Sequence, residues 1–149
     1  MKTVIPIDIV ALGDENSYHL FISGVINDRP CNLLIDTGAS HTIFDVMQIP
    51  EIPKDKISGH EIQSAGIQAG ELKCNLGLIK KFELGDLMRE DWTVVLIDLT
   101  HVNNVYRKYT DKQVAGLIGS DFLLKYAAII DYKKMELVLK NVGSRKRKK

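Results

Sequence analysis

Apolar positions in this chain come in short runs, several with a two-residue period. Along residues 18–26 the pattern alternates in part, with Leu20 and Ile22 on one side and His19 and Ser23 on the other. The cluster Asn27-Asp28-Arg29-Pro30 follows and marks a turn, and residues 31–35 return as a second strand, which predicts a hairpin. Prolines punctuate residues 49–56 as a loop. Residues 57–84 are expected to be β-rich, interrupted at 64–70, where two glycines and small side chains suit a mobile hairpin tip. Residues 92–99 predict another buried strand. Thr100 is placed to cap a short helix, with Val102, Val105, Tyr106 and Tyr109 on one face. Residues 115–139 then predict a short strand, a turn at Gly119, a helical turn or two from Ser120 or Asp121, and a closing hairpin around Lys133-Lys134. No fixed-period repeat is present. The pattern as a whole predicts a mainly β protein with little helix.

Composition narrows this picture. The 149 residues fit one domain, with 45% hydrophobic and 26% charged residues, which are ordinary globular values. We expect that domain to occupy residues 1–140 and residues 141–149 to form a flexible basic tail. No apolar run approaches the roughly 20 residues that cross a bilayer as a helix. The start, MKTVIPIDIV, has a short apolar patch broken by Pro6 and Asp8 and makes a poor signal peptide, so a cytoplasmic location is expected. Cys31 and Cys74 lack metal spacing and are expected as free, partly buried thiols. The four histidines, His19, His41, His60 and His101, are scattered, and neither a metal nor another cofactor is expected.

Charge is uneven. The net value is +1, but Arg145 to Lys149 contribute five positive charges, leaving 15 basic against 19 acidic residues, a body of −4. A tail of this kind can meet nucleic acid or anionic lipid. The acidic body argues against a nucleic-acid partner, since it repels phosphates.

One stretch combines these signals with chemistry. In Asn32-Leu33-Leu34-Ile35-Asp36-Thr37-Gly38-Ala39-Ser40 an unbroken apolar run delivers a carboxylate directly to a glycine turn. An acid there starts partly out of water, which disfavours its charged form. Gly38 has no Cβ and lets backbone N–H groups approach the carboxylate, with Thr37 and Ser40 adding hydroxyls. An aspartate before a glycine can also simply cap its own turn.

The segment resembles the active-site signature of the retropepsin-like aspartic proteases: apolar residues, then Asp36-Thr37-Gly38, then Ala39. Leu117-Ile118-Gly119, followed by Asp121-Phe122-Leu123, resembles the second motif of that family, and residues 129–139 resemble its closing hairpin. The resemblance covers about residues 18–140 and is greatest to the cellular, single-domain branch. Residues 100–110 look like an insertion relative to the compact viral enzymes. The resemblance implies a retropepsin-like closed or partly open β-barrel with one or two short helices. It implies an aspartic endopeptidase whose catalytic set is Asp36, Thr37 and Gly38. It also implies a flap formed by Ala65, Gly66, Ile67 and Gln68 that closes over an extended peptide. Two aspartates would share one proton across a water molecule. The chain supplies one Asp-Thr-Gly. Asp98 and Asp131 follow apolar residues but lack a glycine, so the second carboxylate is expected from a second copy in a homodimer. The competing reading is a non-catalytic relative that binds peptides or serves as a dimerisation module.

Overall fold

The computed structural model describes residues 2–13, 17–67 and 75–140. The hairpin expected at the start is present as β3 (Ser17–Ile26) and β4 (Arg29–Ile35). Asn27 and Asp28 both take positive φ, 49° and 67°, the two-residue turn whose twist matches that of antiparallel strands. The Asn27 Oδ1 atom accepts from the backbone N–H groups of Lys80 and Lys81, each at 3.0 Å, and so ties the turn to β6 (Asn75–Leu84).

These strands close on themselves. β4 runs parallel to β8 (Val114–Ile118), and β8 pairs antiparallel with β5 (Ile43–Asp45). β5 lies parallel to β7 (Leu87–Ile97), β7 pairs antiparallel with β6, and β6 returns to β3 through Val25–Glu83 and Ile26–Phe82. The ring is a closed barrel of six strands, which leaves no free edge among them. β2 (Asp8–Leu12) extends the sheet beyond β3. A separate antiparallel sheet joins β1 (Lys2–Pro6), β10 (Glu136–Lys140) and β9 (Ile129–Asp131) in the order β1-β10-β9.

The unbroken apolar run of β4 has a structural reason. Leu33 enters the main core with Phe44, Ile79, Phe82, Trp92, Phe122 and Leu137. Its neighbour Leu34 points to the opposite face and joins a second cluster with Val10, Phe21, Leu99, Tyr106 and Val114. Buried on both faces, the last three residues of the strand, Leu33 to Ile35, leave no position for a polar side chain before Asp36. Phe82 and Leu33 are fully buried, and each such side chain contributes about 1.5–3 kcal/mol of transfer free energy.

Three expectations are corrected. Residues 57–67 are not part of a hairpin: a 3-10 turn at Lys54–Lys56 is followed by α1 (Gly59–Ser64). The reason lies in Ser58 and Glu61, which form a reciprocal capping box at the start of α1. The next helix, α2 (Thr100–Arg107), is capped by position Leu99, not by Thr100. Thr100 sits in the first turn, and its N–H and hydroxyl both donate to Asp98 Oδ1. The buried face of α2 also differs from the expectation. Tyr106 and Asn103 are buried, while Val105 and Tyr109 are about half exposed. Asn103 is held inside because its amide bonds both N–H and C=O of Val114.

Candidate active site

Asp36 follows β4 at the point where β4 lies beside β8, with Ile35 paired to Ile118. Its backbone N–H donates to the Ile118 carbonyl at 2.9 Å, and its own carbonyl accepts from Ala39 N–H at 3.1 Å. The Gly38 N–H donates to Asp36 Oδ1 at 3.1 Å, so one carboxylate oxygen is oriented by the turn. Asp36 is half-buried, and Thr37 and Gly38 are exposed. The three residues expected as a catalytic set are therefore contiguous at one open face.

The two sequence motifs meet here. Helix α3 (Ser120–Lys125) begins directly after β8, and the Ser120 N–H and hydroxyl donate to the Ala39 carbonyl at 2.8 and 3.1 Å. A Cβ on Gly119 would lie 2.8 Å from the Ala39 carbonyl oxygen and 2.9 Å from the His41 backbone. Those contacts are with main chain and cannot be relieved by a rotamer change. Gly38, in contrast, has no positive φ, and a Cβ there would meet only Asp36 Oδ1 at 3.5 Å, an ordinary contact. The steric demand expected at Gly38 falls, within one chain, on Gly119.

Thr42 and Asp121 complete the junction, and neither was singled out from the sequence as a site residue. Thr42 is buried and bonds both partners of the motif. Its hydroxyl donates to Asp121 Oδ1 at 2.7 Å and accepts from Gly119 N–H at 3.0 Å. The same carboxylate oxygen accepts from the N–H groups of Thr42 and Phe122. No local signal marks Thr42, which lies just before β5 and meets partners far away in sequence.

Of the residues expected as a flap, Ala65, Gly66 and Ile67 follow the end of α1, and Gln68 lies outside the described residues. So do Cys74 and residues 141–149. Gly66 has φ +81°. His41 Nε2 lies 3.0 Å from the Gly66 carbonyl, and because a carbonyl only accepts, this nitrogen carries the proton. The segment after α1 is thereby linked to the loop that carries Asp36.

On the other side, Tyr106 packs edge-on against Phe21 and His19, with its hydroxyl 2.9 Å from His19 Nδ1. Burial first, and the negative charge of Asp36 second, hold the Tyr106 phenol above its ordinary range. The residues expected as an insertion thus bring α2 into electrostatic reach of Asp36. Asp98 and Asp131 each serve a local turn. The Thr100 hydroxyl holds the Asp98 carboxyl below its usual range, and Asp131 accepts from the N–H groups of Lys133 and Lys134. Among the described residues no three His, Cys, Asp or Glu side chains are arranged to hold a metal ion.

A family model described as aspartyl protease matches residues 22–122. The chain belongs to the aspartyl protease family. The match spans both motifs, from β3 through the first turn of α3. Among solved structures, a retropepsin-like aspartic protease from Rickettsia conorii is similar, at 18% identity and a TM-score of 0.44, over 93% of this chain and 92% of that one. The retroviral protease-like domain of Ddi1 from Leishmania major is similar at 18% identity and a TM-score of 0.49, over 83% and 90% of the two chains. No curated protein matches the chain.

Proposed function

We propose that this member of the family is an aspartic endopeptidase whose site is completed by a second copy, with two Asp36 carboxylates facing one water molecule. The observation that carries the reading is the Asp36 turn itself: a carboxylate at the end of a strand buried on both faces, oriented by Gly38 N–H and open to solvent. In the proposed chemistry one carboxylate takes a proton from the water as its oxygen attacks the peptide carbonyl carbon. The protonated partner gives its proton to the carbonyl oxygen. Collapse of the tetrahedral species breaks the C–N bond, and the nitrogen leaves with a proton. Like charges this close do not ionise together, which supplies the single shared proton.

The apolar face beside Thr37 supports the second copy. Thr37, Ser120, Leu123, Leu124, Ala127 and Ile130 line an open cleft of about 390 Å³. Leu124 is 83% exposed, and Ile129 and Tyr132 on the same stretch are also exposed. A face of this kind is a candidate for burial against another chain. The peptide would enter as an extended strand beneath the segment after α1.

Asp36→Asn is the direct test. The amide keeps the shape but cannot act as base, so hydrolysis of a mixed peptide library should cease while the fold persists. Turnover by a pure, folded Asp36→Asn protein would overturn the reading. A wild-type protein that binds peptides without cutting them would favour the non-catalytic module.

A further inference from the structure

A second cleft, of about 230 Å³, borders Gly66, which His41 contacts, and is walled by Thr42, Gly66, Trp92, Thr93 and α3. Arg89 and Lys125 both face it. The Arg89 guanidinium stacks over the Trp92 ring, 4.3 Å from its centroid, and also hydrogen-bonds the Tyr126 side chain, which still leaves part of its five-donor N–H edge for another partner. Arg89 is half-buried and forms no ion pair among the described residues. Burial pushes the guanidinium below its ordinary range, against the opposing pull of Tyr126 and, more weakly, Asp121. The Asp121 carboxylate also lines the cleft, but its Oδ1 is occupied by Thr42 and Phe122. Among the described residues that line the cleft, two cations stand against one anion.

We propose that this cleft is an accessory subsite that binds one carboxylate of an extended peptide, an aspartate or glutamate side chain, through the edge of Arg89 with Lys125 at the rim. A planar carboxylate suits a guanidinium whose face is already stacked. A phosphate dianion suits it less, because Asp121 shares the space. The cleft borders Thr42, at the end of the loop that carries Asp36, and Gly66, so a peptide that passes Asp36 beneath the segment after α1 would have this cleft within reach. The peptide as occupant rests on the protease reading, whereas the anion chemistry does not.

Trp92 is the only tryptophan in the chain, so its emission reports on this cleft. The Asp36→Asn chain of residues 1–149, used to prevent turnover, is titrated with acetylated and amidated Ala/Ser octapeptides. One set carries a single Glu at each position in turn, and a matching set carries Gln. The Glu set should perturb the emission saturably at one or two adjacent positions, less so at high salt, and the Gln set should not. Adding Arg89→Met should weaken that response about tenfold or more. Adding Lys125→Gln, at an exposed position, should weaken it several-fold and serves if Arg89→Met fails to fold. Equal responses to Glu and Gln peptides, or no effect of either substitution, would overturn the proposal. So would a response to inorganic phosphate without one to the Glu peptides. The readout needs no cleavage, so a failed protease reading and a failed subsite are told apart.

Discussion

The hydroxyl of Thr42 and the carboxylate of Asp121 are 2.7 Å apart, and this contact joins two segments 79 residues apart in sequence. Through Gly119 N–H, which also bonds that hydroxyl, it fixes the strand that leaves the Asp36 loop against the start of α3. The position of Asp36 therefore depends on residues outside its own Asp36-Thr37-Gly38 turn.

Thr42→Val should expose that dependence. Valine keeps the volume but leaves the buried Gly119 N–H without its acceptor, a loss of about 1–3 kcal/mol. Thr42→Ser keeps both bonds and should cost about 1 kcal/mol or less, the value of one methyl group. Urea unfolding should show a lower midpoint for Val than for Ser with an unchanged slope. Equal midpoints would mean that the hydroxyl does not hold the junction.

Gly119→Ala should be more severe than Gly38→Ala in stability. The added Cβ at 119 meets main chain at 2.8–2.9 Å, and relieving such overlap typically costs about 1–3 kcal/mol. At position 38 it meets a carboxylate oxygen at 3.5 Å within the chain. Thermal melts of the two variants rank them directly, and a larger loss at 38 would show that its steric demand comes from outside the single chain.

Much of the fold was legible because its signals are local. The turn at Asn27-Asp28, the double-sided burial of Leu33 and Leu34, and the order strand, Gly119, helix all follow from neighbours in sequence. The short helix at Gly59–Ser64 is equally local in origin, since Ser58 and Glu61 cap it, but the two glycines downstream give the stronger turn signal in the sequence pattern. Thr42 was not legible for a different reason. Its partners Gly119 and Asp121 are brought to it only when β4, β5 and β8 pair, and a lone threonine just ahead of Ile43 and Phe44 carries no sign of that. Arg89 is similar: its stacking on Trp92 depends on the path of β7, including a positive φ of 52° at Asp91 between them.

The exposed leucine on α3 bears on assembly. Leu124→Asp changes a side chain that is 83% exposed, so the single chain should keep its melting behaviour. If this face meets a second copy, sedimentation should shift toward monomer and hydrolysis per chain should fall at least tenfold at micromolar protein. Wild-type activity per chain should likewise fall on dilution. Val105→Asp, on the outer side of α2, is the control and should change neither. A Leu124→Asp protein that remains dimeric and active would place the interface elsewhere.

Acid should loosen the segment that leads to Gly66. The Ser58 hydroxyl, as the largest cause, holds the Glu61 carboxyl below its ordinary range. A carboxyl lowered in the folded state stabilises that state above the unfolded value, near pH 4.3, and the contribution is lost as pH falls through the lower folded value. The capping box at α1 should thus weaken as pH drops below about 4. The His41–Gly66 bond responds differently, because Nε2 carries a proton in both the neutral form required here and the charged form, so acid does not remove it. Amide exchange, corrected for its intrinsic pH dependence, should show falling protection at Ile62 and Ala65 on acidification, with the core strand β8 unaffected. Ser58→Ala should lower protection already at neutral pH and flatten the acid response. If protection at Ile62 holds or rises below pH 4 in the wild type, the capping pair is not what fixes the start of this helix.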